Sequence, residues 1–171
     1  TGVLQLSSPI AATNGPLIVG GHQPELFHTG VWAKNFATAR LAERVGGVPL
    51  QLIVDQDTLN STSIKIPVGT RDVPALVNVE FDGPHVRSPW EEAAIADMNL
   101  FERLPDRVTE RLSPWGYRPM IGDVWPMAVK QGRRTGRLVD ALTAVRAATE
   151  RRWGAGTLEL PMSRWWTQPA S

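Results

Sequence analysis

The sequence predicts an α/β fold: a three-layer arrangement around a parallel sheet, with a small antiparallel insert. Three observations carry that expectation. Apolar runs at 16–21 (Pro-Leu-Ile-Val-Gly-Gly) and 49–54 (Pro-Leu-Gln-Leu-Ile-Val) flank a helix-like segment, Val31 to Arg44. A second helix-then-strand unit lies at Thr135–Trp153 and 157–161. Between the two units, the strand-like runs Ser63–Val68 and Ala75–Phe81 are joined by Gly69-Thr70-Arg71-Asp72, a hairpin signal. Helices alternating with apolar strands favour parallel pairing through right-handed crossovers.

The elements follow in order. Residues 1–15 are rich in Ser, Thr, Ala, Asn and Gly and read as an extended leading segment. Gly20-Gly21 ends the first strand and frees the chain for a tight turn. The first helix begins near Gly30 and stops at Gly46-Gly47. Its apolar residues fall on two sides, Trp32, Phe36 and Ala39 against Val31, Leu41, Ala42 and Val45, which predicts a helix sandwiched between the sheet and another element. Ser88-Pro89-Trp90-Glu91 has the form of a capping box, so a helix is expected from there to about Leu104, with a shorter one over Pro105–Leu112. Residues 113–126 hold three Pro, two Gly and two Trp and are expected to be an irregular loop. In Thr135–Trp153 the apolar residues Leu138, Ala141, Leu142, Val145 and Ala148 keep helical spacing. Thr157 to Pro161 then reads as the third strand.

The 171 residues suffice for one sizeable core, so a single domain over 1–171 is expected. Trp165 and Trp166 beside the terminus are unusual for a free tail and suggest the front part of a longer protein. A net charge of +1 gives no electrostatic case for nucleic acid. The chain has no cysteine, which removes disulfides, thiolate metal sites and a thiol nucleophile, and fits a reducing compartment; the expected location is cytoplasmic. No apolar window is long enough for a transmembrane helix, so no membrane partner is expected.

The candidate site lies at the carboxyl ends of the first two strands, where α/β proteins bind ligands. His22 and His28 flank the first strand–helix loop; near a helix N-terminus an imidazole can orient or stabilise an anion, the alternative being capping of local backbone groups. These two are the catalytic candidates. Gly21 and Gly30 would let backbone N–H groups approach a ligand, and Lys34, one turn into the helix, could add a positive charge or simply extend along the surface. Asp55 and Asp57 end the second strand and could hold Mg²⁺, a ribose or an amine, or could cap the turn that follows. The basic cluster Lys130–Gly136 reads as a solvated loop with phosphate binding as the alternative, and Trp90, Trp115 and Trp125 as core residues that could otherwise line a pocket. The P-loop, the G-x-G-x-x-G fingerprint, the G-x-S-x-G elbow and H-E-x-x-H are all absent.

At Leu26-Phe27-His28-Thr29-Gly30-Val31 the chain resembles the nucleotide-binding turn of the HIGH-motif superfamily, whose His-x-Gly-His pattern is matched by His28 and Gly30, with Val31 at the second His. The longer stretch from Gly20-Gly21-His22-Gln23-Pro24 through Phe27, Gly30 and Lys34 to Val54-Asp55-Gln56-Asp57 is similar to the start of the bacillithiol-forming cysteine ligases and of uncharacterised bacterial proteins related to them. The resemblance implies a Rossmann-like core and ligase or nucleotidyl-type transfer. The expected function is therefore binding of a small anionic or nucleotide-like ligand, with a nucleotide or Mg²⁺ as the candidate cofactor. Two alternatives stay open: a metal-dependent glycosyltransferase using Asp55 and Asp57, and a non-catalytic binding module.

Overall fold

The structure is a computed structural model in which residues 14–26, 29–116 and 118–166 are described. His28 and Phe27, singled out above, lie outside the described residues, as do residues 1–13 of the leading segment.

Three strands, β1 (Leu17–His22), β2 (Val48–Ile53) and β5 (Leu158–Pro161), form a parallel sheet in the order β1-β2-β5. Two more, β3 (Ser63–Gly69) and β4 (Pro74–Glu80), form a separate antiparallel pair. The protein is thus mixed α/β, with the parallel sheet and the hairpin insert where the sequence put them. Helix α1 (Thr29–Val45) links β1 to β2, and α5 (Leu138–Arg152) precedes β5. Both crossovers step in the same direction across the sheet, so right-handed connections place both helices on one face.

Side chains confirm that placement. The register aligns Gly20, Gln51 and Glu159 in one row and His22, Ile53 and Pro161 in the next. Asn35 of α1 reaches His22, and Arg146 of α5 reaches Glu159, so this is the helix-covered face. The opposite face carries Leu17, Val19, Leu50, Leu52, Leu158 and Leu160; Leu17 and Val19 are half exposed. Among the described residues the sheet is therefore two-layered, not three-layered. The sandwiching expected for α1 is corrected in the same way. Asn35, Thr38 and Ala42 face the sheet, Trp32 and Phe36 pack against Trp153 at the end of α5, and Leu41 and Val45 stay largely exposed.

The main apolar core lies under the insert. It joins Ile66, Val79 and Phe81 of the hairpin region to Trp90, Phe101, Leu104, Val108, Trp125, Leu138 and Leu142. Helices α2 (Met98–Glu102), α3 (Leu104–Leu112) and α4 (Ile121–Thr135) supply much of it. Three local expectations are corrected here. The capping box at Ser88 opens only one 3₁₀ turn, Trp90–Glu92, with no side-chain cap; Asp97 instead caps α2 by accepting from the Leu100 N–H. The stretch read as irregular loop contains the start of α4, which runs through Pro126 because Val124, Trp125, Ala128 and Gly132 form a buried stripe. The basic cluster read as a loop is the last turns of that helix, where cations suit the carbonyl end of the dipole; Arg133 pairs with Glu102. Gly132 lets α4 approach closely, since a Cβ there would sit 2.5 Å from Ile95 Cδ1. A short helix, α6 (Met162–Trp166), follows β5 directly. No helix among the described residues is long and apolar enough to cross a membrane.

Candidate functional site

β1 and β2 are parallel neighbours, so their carboxyl ends and the loops that leave them share one edge of the sheet. The ladder continues one step past the strands, with the Val54 N–H donating to the His22 carbonyl at 2.8 Å. Beyond it, Gln23 Nε2 donates to Asp57 Oδ2 at 3.3 Å, bridging the loop after β1 and the loop after β2. Lys34, one turn into α1, donates to the Gly21 carbonyl at 2.9 Å, which brings its ammonium to the same edge. Gly30 is exposed in the first turn of α1. Gly21, Gly30, Lys34 and Asp57 are therefore brought to one edge of the fold.

His22 and Asp55 sit deeper. His22 is 5% exposed, its Nδ1–H donates to the Gln23 carbonyl at 3.0 Å, and Asn35 Nδ2 lies 3.4 Å from Nε2. Burial, then the positive charge of Arg146, lower its pKa to about 4, so the ring is neutral at pH 7. Such a ring can hold the loop through hydrogen bonds; it cannot supply a positive charge to an anion at that pH. Asp55 is fully buried, and both carboxylate oxygens accept from Ser163, one from its N–H at 3.0 Å and one from its hydroxyl. Asp55 ties the tip of β2 to α6, while Asp57, two residues on, is exposed. Alternation along the chain does not hold past Ile53, because residues 55–57 form a turn.

Below this edge, the helix-covered side of the sheet is polar. Asn35 Nδ2 donates to Glu150 Oε1 at 2.7 Å, and Thr157 donates to the other oxygen of Glu150. Arg146 is fully buried; it forms an ion pair with Glu159 at 3.0 Å and also donates to Thr143 and to the Pro24 carbonyl. That last bond anchors the loop after β1 from beneath. The third histidine, His85, serves elsewhere, joining the Gly83, Ala96 and Asp97 N–H groups around the buried carboxylate of Asp82.

A cleft of about 850 Å³ opens beside the loop after β1, within the usual size range of small-molecule sites. Glu25 and Leu26 form one wall, Ser61, Ser63, Ile64, Lys65 and Asn78 the hairpin wall, and Phe81 and Trp90 the floor. The 3₁₀ turn holding Trp90 is docked on the β2 loop: the Trp90 N–H donates to the Asp57 carbonyl and the Glu91 N–H to the Asp55 carbonyl. The cleft and the carboxyl edge are thus adjoining parts of one region. Sequence reasoning named Trp90 as a core residue with pocket lining as the alternative, and missed the other lining residues. They come from four separate stretches with no common spacing, so only the tertiary fold brings them together.

Among the described residues, no group of three or more His, Asp or Glu side chains is arranged to hold a metal ion. No protein-family model matches the chain, and no curated protein matches it.

Proposed function

We propose that this chain is a small-ligand-binding, Rossmann-like domain of a cytoplasmic bacterial protein of ligase or nucleotidyltransferase type, with its ligand at the carboxyl ends of β1 and β2. The observation that carries the reading is the meeting of the two strand-end loops through Gln23 and Asp57, with Lys34 reaching the same edge and a cleft beside it. The helix α1 N-terminus and Gly30 would offer backbone N–H groups to an anionic ligand, and Lys34 a charge. Asp57 is the exposed carboxylate, with Oδ2 accepting from Gln23 and Oδ1 from the Thr58 N–H at 2.8 Å, and its remaining lone pairs would meet a ribose, an amine or a phosphate-bound Mg²⁺, which needs only one or two protein carboxylates. Its position fits such a group; Asp55, spent on Ser163, does not. His22 would set the loop conformation, and His28 is the remaining candidate for direct contact. The similarity to the cysteine ligases supports catalysis by positioning and electrostatics rather than by covalent attack.

The test is a thermal-shift screen with ATP, sugar nucleotides and cysteine, each with and without Mg²⁺ or Mn²⁺. Stabilisation that grows with ligand concentration, and that weakens in His28→Ala and Asp57→Ala, is expected. A melting temperature indifferent to every compound would remove the reading in favour of a non-catalytic interaction module. The glycosyltransferase alternative requires both aspartates on one metal, and the Ser163 contacts of Asp55 weigh against it.

A further inference from the structure

Among the described residues, α1 and α5 cover one face of the parallel sheet, and the opposite face carries no polar side chain from any of the strands. Leu17 and Val19 of β1, Leu50 and Leu52 of β2 and Leu158 and Leu160 of β5 share it, with Leu17 54% and Val19 51% exposed. An all-parallel sheet is apolar on both sides and is almost always covered on both, so this surface calls for an occupant. Three strands about 4.8 Å apart and up to about six residues long, at about 3.3 Å per residue, make a face on the order of 300 Å². That is well short of the about 800 Å² per partner in a stable association, so through this face alone a second copy would not offset the freedom lost on pairing. A segment of the same chain loses far less, because its tether already holds it near the sheet. A charged occupant would leave its charges without partners there.

Two terminal stretches lie outside the described residues. Residues 167–171, Thr-Gln-Pro-Ala-Ser, offer no large apolar side chain. Residues 1–13 hold Val3, Leu4, Leu6 and Ile10 and no charged residue, which matches the character of the face. They join the described chain at Asn14, close before Leu17, the most exposed side chain of that face. A segment of this length reaches about 43 Å at about 3.3 Å per residue, several times the about 10 Å that separates the two outer strands. We infer that residues 1–13 dock on the open face of the parallel sheet and supply its third layer. Val3, Leu4, Leu6 and Ile10 are set against the leucines of β1, β2 and β5. The inference goes beyond the proposed function and does not rest on it.

The experiment is methyl NMR on the full chain with labelled Leu and Val side chains. Contacts through space (NOEs) are expected from Leu4 and Leu6 to at least one of Leu50, Leu52, Leu158 and Leu160. A mixture of labelled and unlabelled chains, filtered for contacts between molecules, is expected to show none of them. The second measurement is binding of a hydrophobic dye, anilinonaphthalene sulfonate, which reports uncovered apolar surface. Leu4→Ser/Leu6→Ser is expected to raise dye binding several-fold by releasing the segment, and Leu4→Met/Leu6→Met to leave it at the wild-type level. Absence of the NOEs within one chain would overturn the inference, as would dye binding unmoved by the serine substitutions. Contacts found between chains in the mixture would overturn it as well and assign the face to a second copy.

Discussion

Arg146 and Glu159 form an enclosed two-point ion pair between α5 and β5, with Nη2–Oε2 at 3.0 Å and Nε–Oε1 at 3.3 Å. Breaking a buried pair from one side leaves an uncompensated charge, which costs far more than the pair contributes. Arg146→Met is therefore expected to destabilise the protein by about 3–5 kcal/mol, with Arg146→Met/Glu159→Leu recovering much of the loss. Urea denaturation of the two variants beside the wild type checks this. Burial holds the Glu159 carboxyl above its ordinary range, and Arg146 pulls it back only in part. A raised folded-state pKa means that stability is lost as pH rises through the titration of that carboxyl. The slope should steepen in Arg146→Met and flatten in Glu159→Gln.

His22 gives a pH dependence of opposite sign. Its folded pKa lies near 4 against an ordinary 6.5. Between those values the unfolded chain binds a proton that the folded protein refuses, so stability rises with pH across that window and is lost as pH falls through it. The full shift corresponds to about 3 kcal/mol. Wild-type protein should lose stability between pH 6.5 and pH 4, and His22→Gln should flatten the His22 part of that loss. Denaturation midpoints at about pH 7 and about pH 4.5 measure it, and an NMR titration of the His22 ring should find its midpoint near 4.

Local signals in the sequence carried the parallel unit well. The apolar runs at 16–21 and 49–54 became β1 and β2, and Gly46-Gly47 stopped α1 where a left-handed Gly46 now sits. What was not legible depended on partners distant in the chain. Pro126 argued for a loop, but burial of Trp125, whose indole donates to the Phe101 carbonyl at 2.6 Å, holds α4 as a helix. The strand residues looked uniformly apolar, and only the register showed that Leu and Val point away from α1 and α5. Asp55 and Asp57 looked equivalent; the turn after Ile53 and Ser163, far along the chain, separated them. The cleft at Trp90 had no sequence signal, because convergence of single residues from four segments leaves no pattern.

That separation of the two aspartates predicts a clean contrast. Asp55→Ala removes two hydrogen bonds to a buried carboxylate, from the Ser163 N–H and hydroxyl. Its expected cost is about 2–3 kcal/mol in stability, from charge-assisted bonds at a buried site. Asp57 is exposed, and its bonds from Gln23 and the Thr58 N–H compete with water, so Asp57→Ala should cost less, about 0.5–1 kcal/mol. Its effect should fall on ligand response in the thermal-shift screen. If the two substitutions destabilise the protein equally, the structural role assigned to Asp55 is wrong.

Gln51 offers the sharpest test of the polar layer beneath the sheet. It sits in the central strand, fully buried, with neither amide atom partnered. It also explains why Gly20 lies beside it: a Cβ at Gly20 would come within 2.4 Å of Gln51 Oε1, so the glycine makes room for the amide. An unpaired buried amide forfeits its hydration without recompense, and replacing it by an apolar group of similar shape returns that loss. Gln51→Met keeps the length of the side chain and is expected to raise stability by about 1–3 kcal/mol, seen as a higher urea midpoint at unchanged slope. Gly20→Ala should do the reverse, because the new methyl drives the amide out of the only space the register leaves it. In the Gln51→Ala background that penalty should shrink, since the atoms that the methyl would strike are gone. A double-mutant cycle showing independent effects would mean that Gly20 and Gln51 do not share that space.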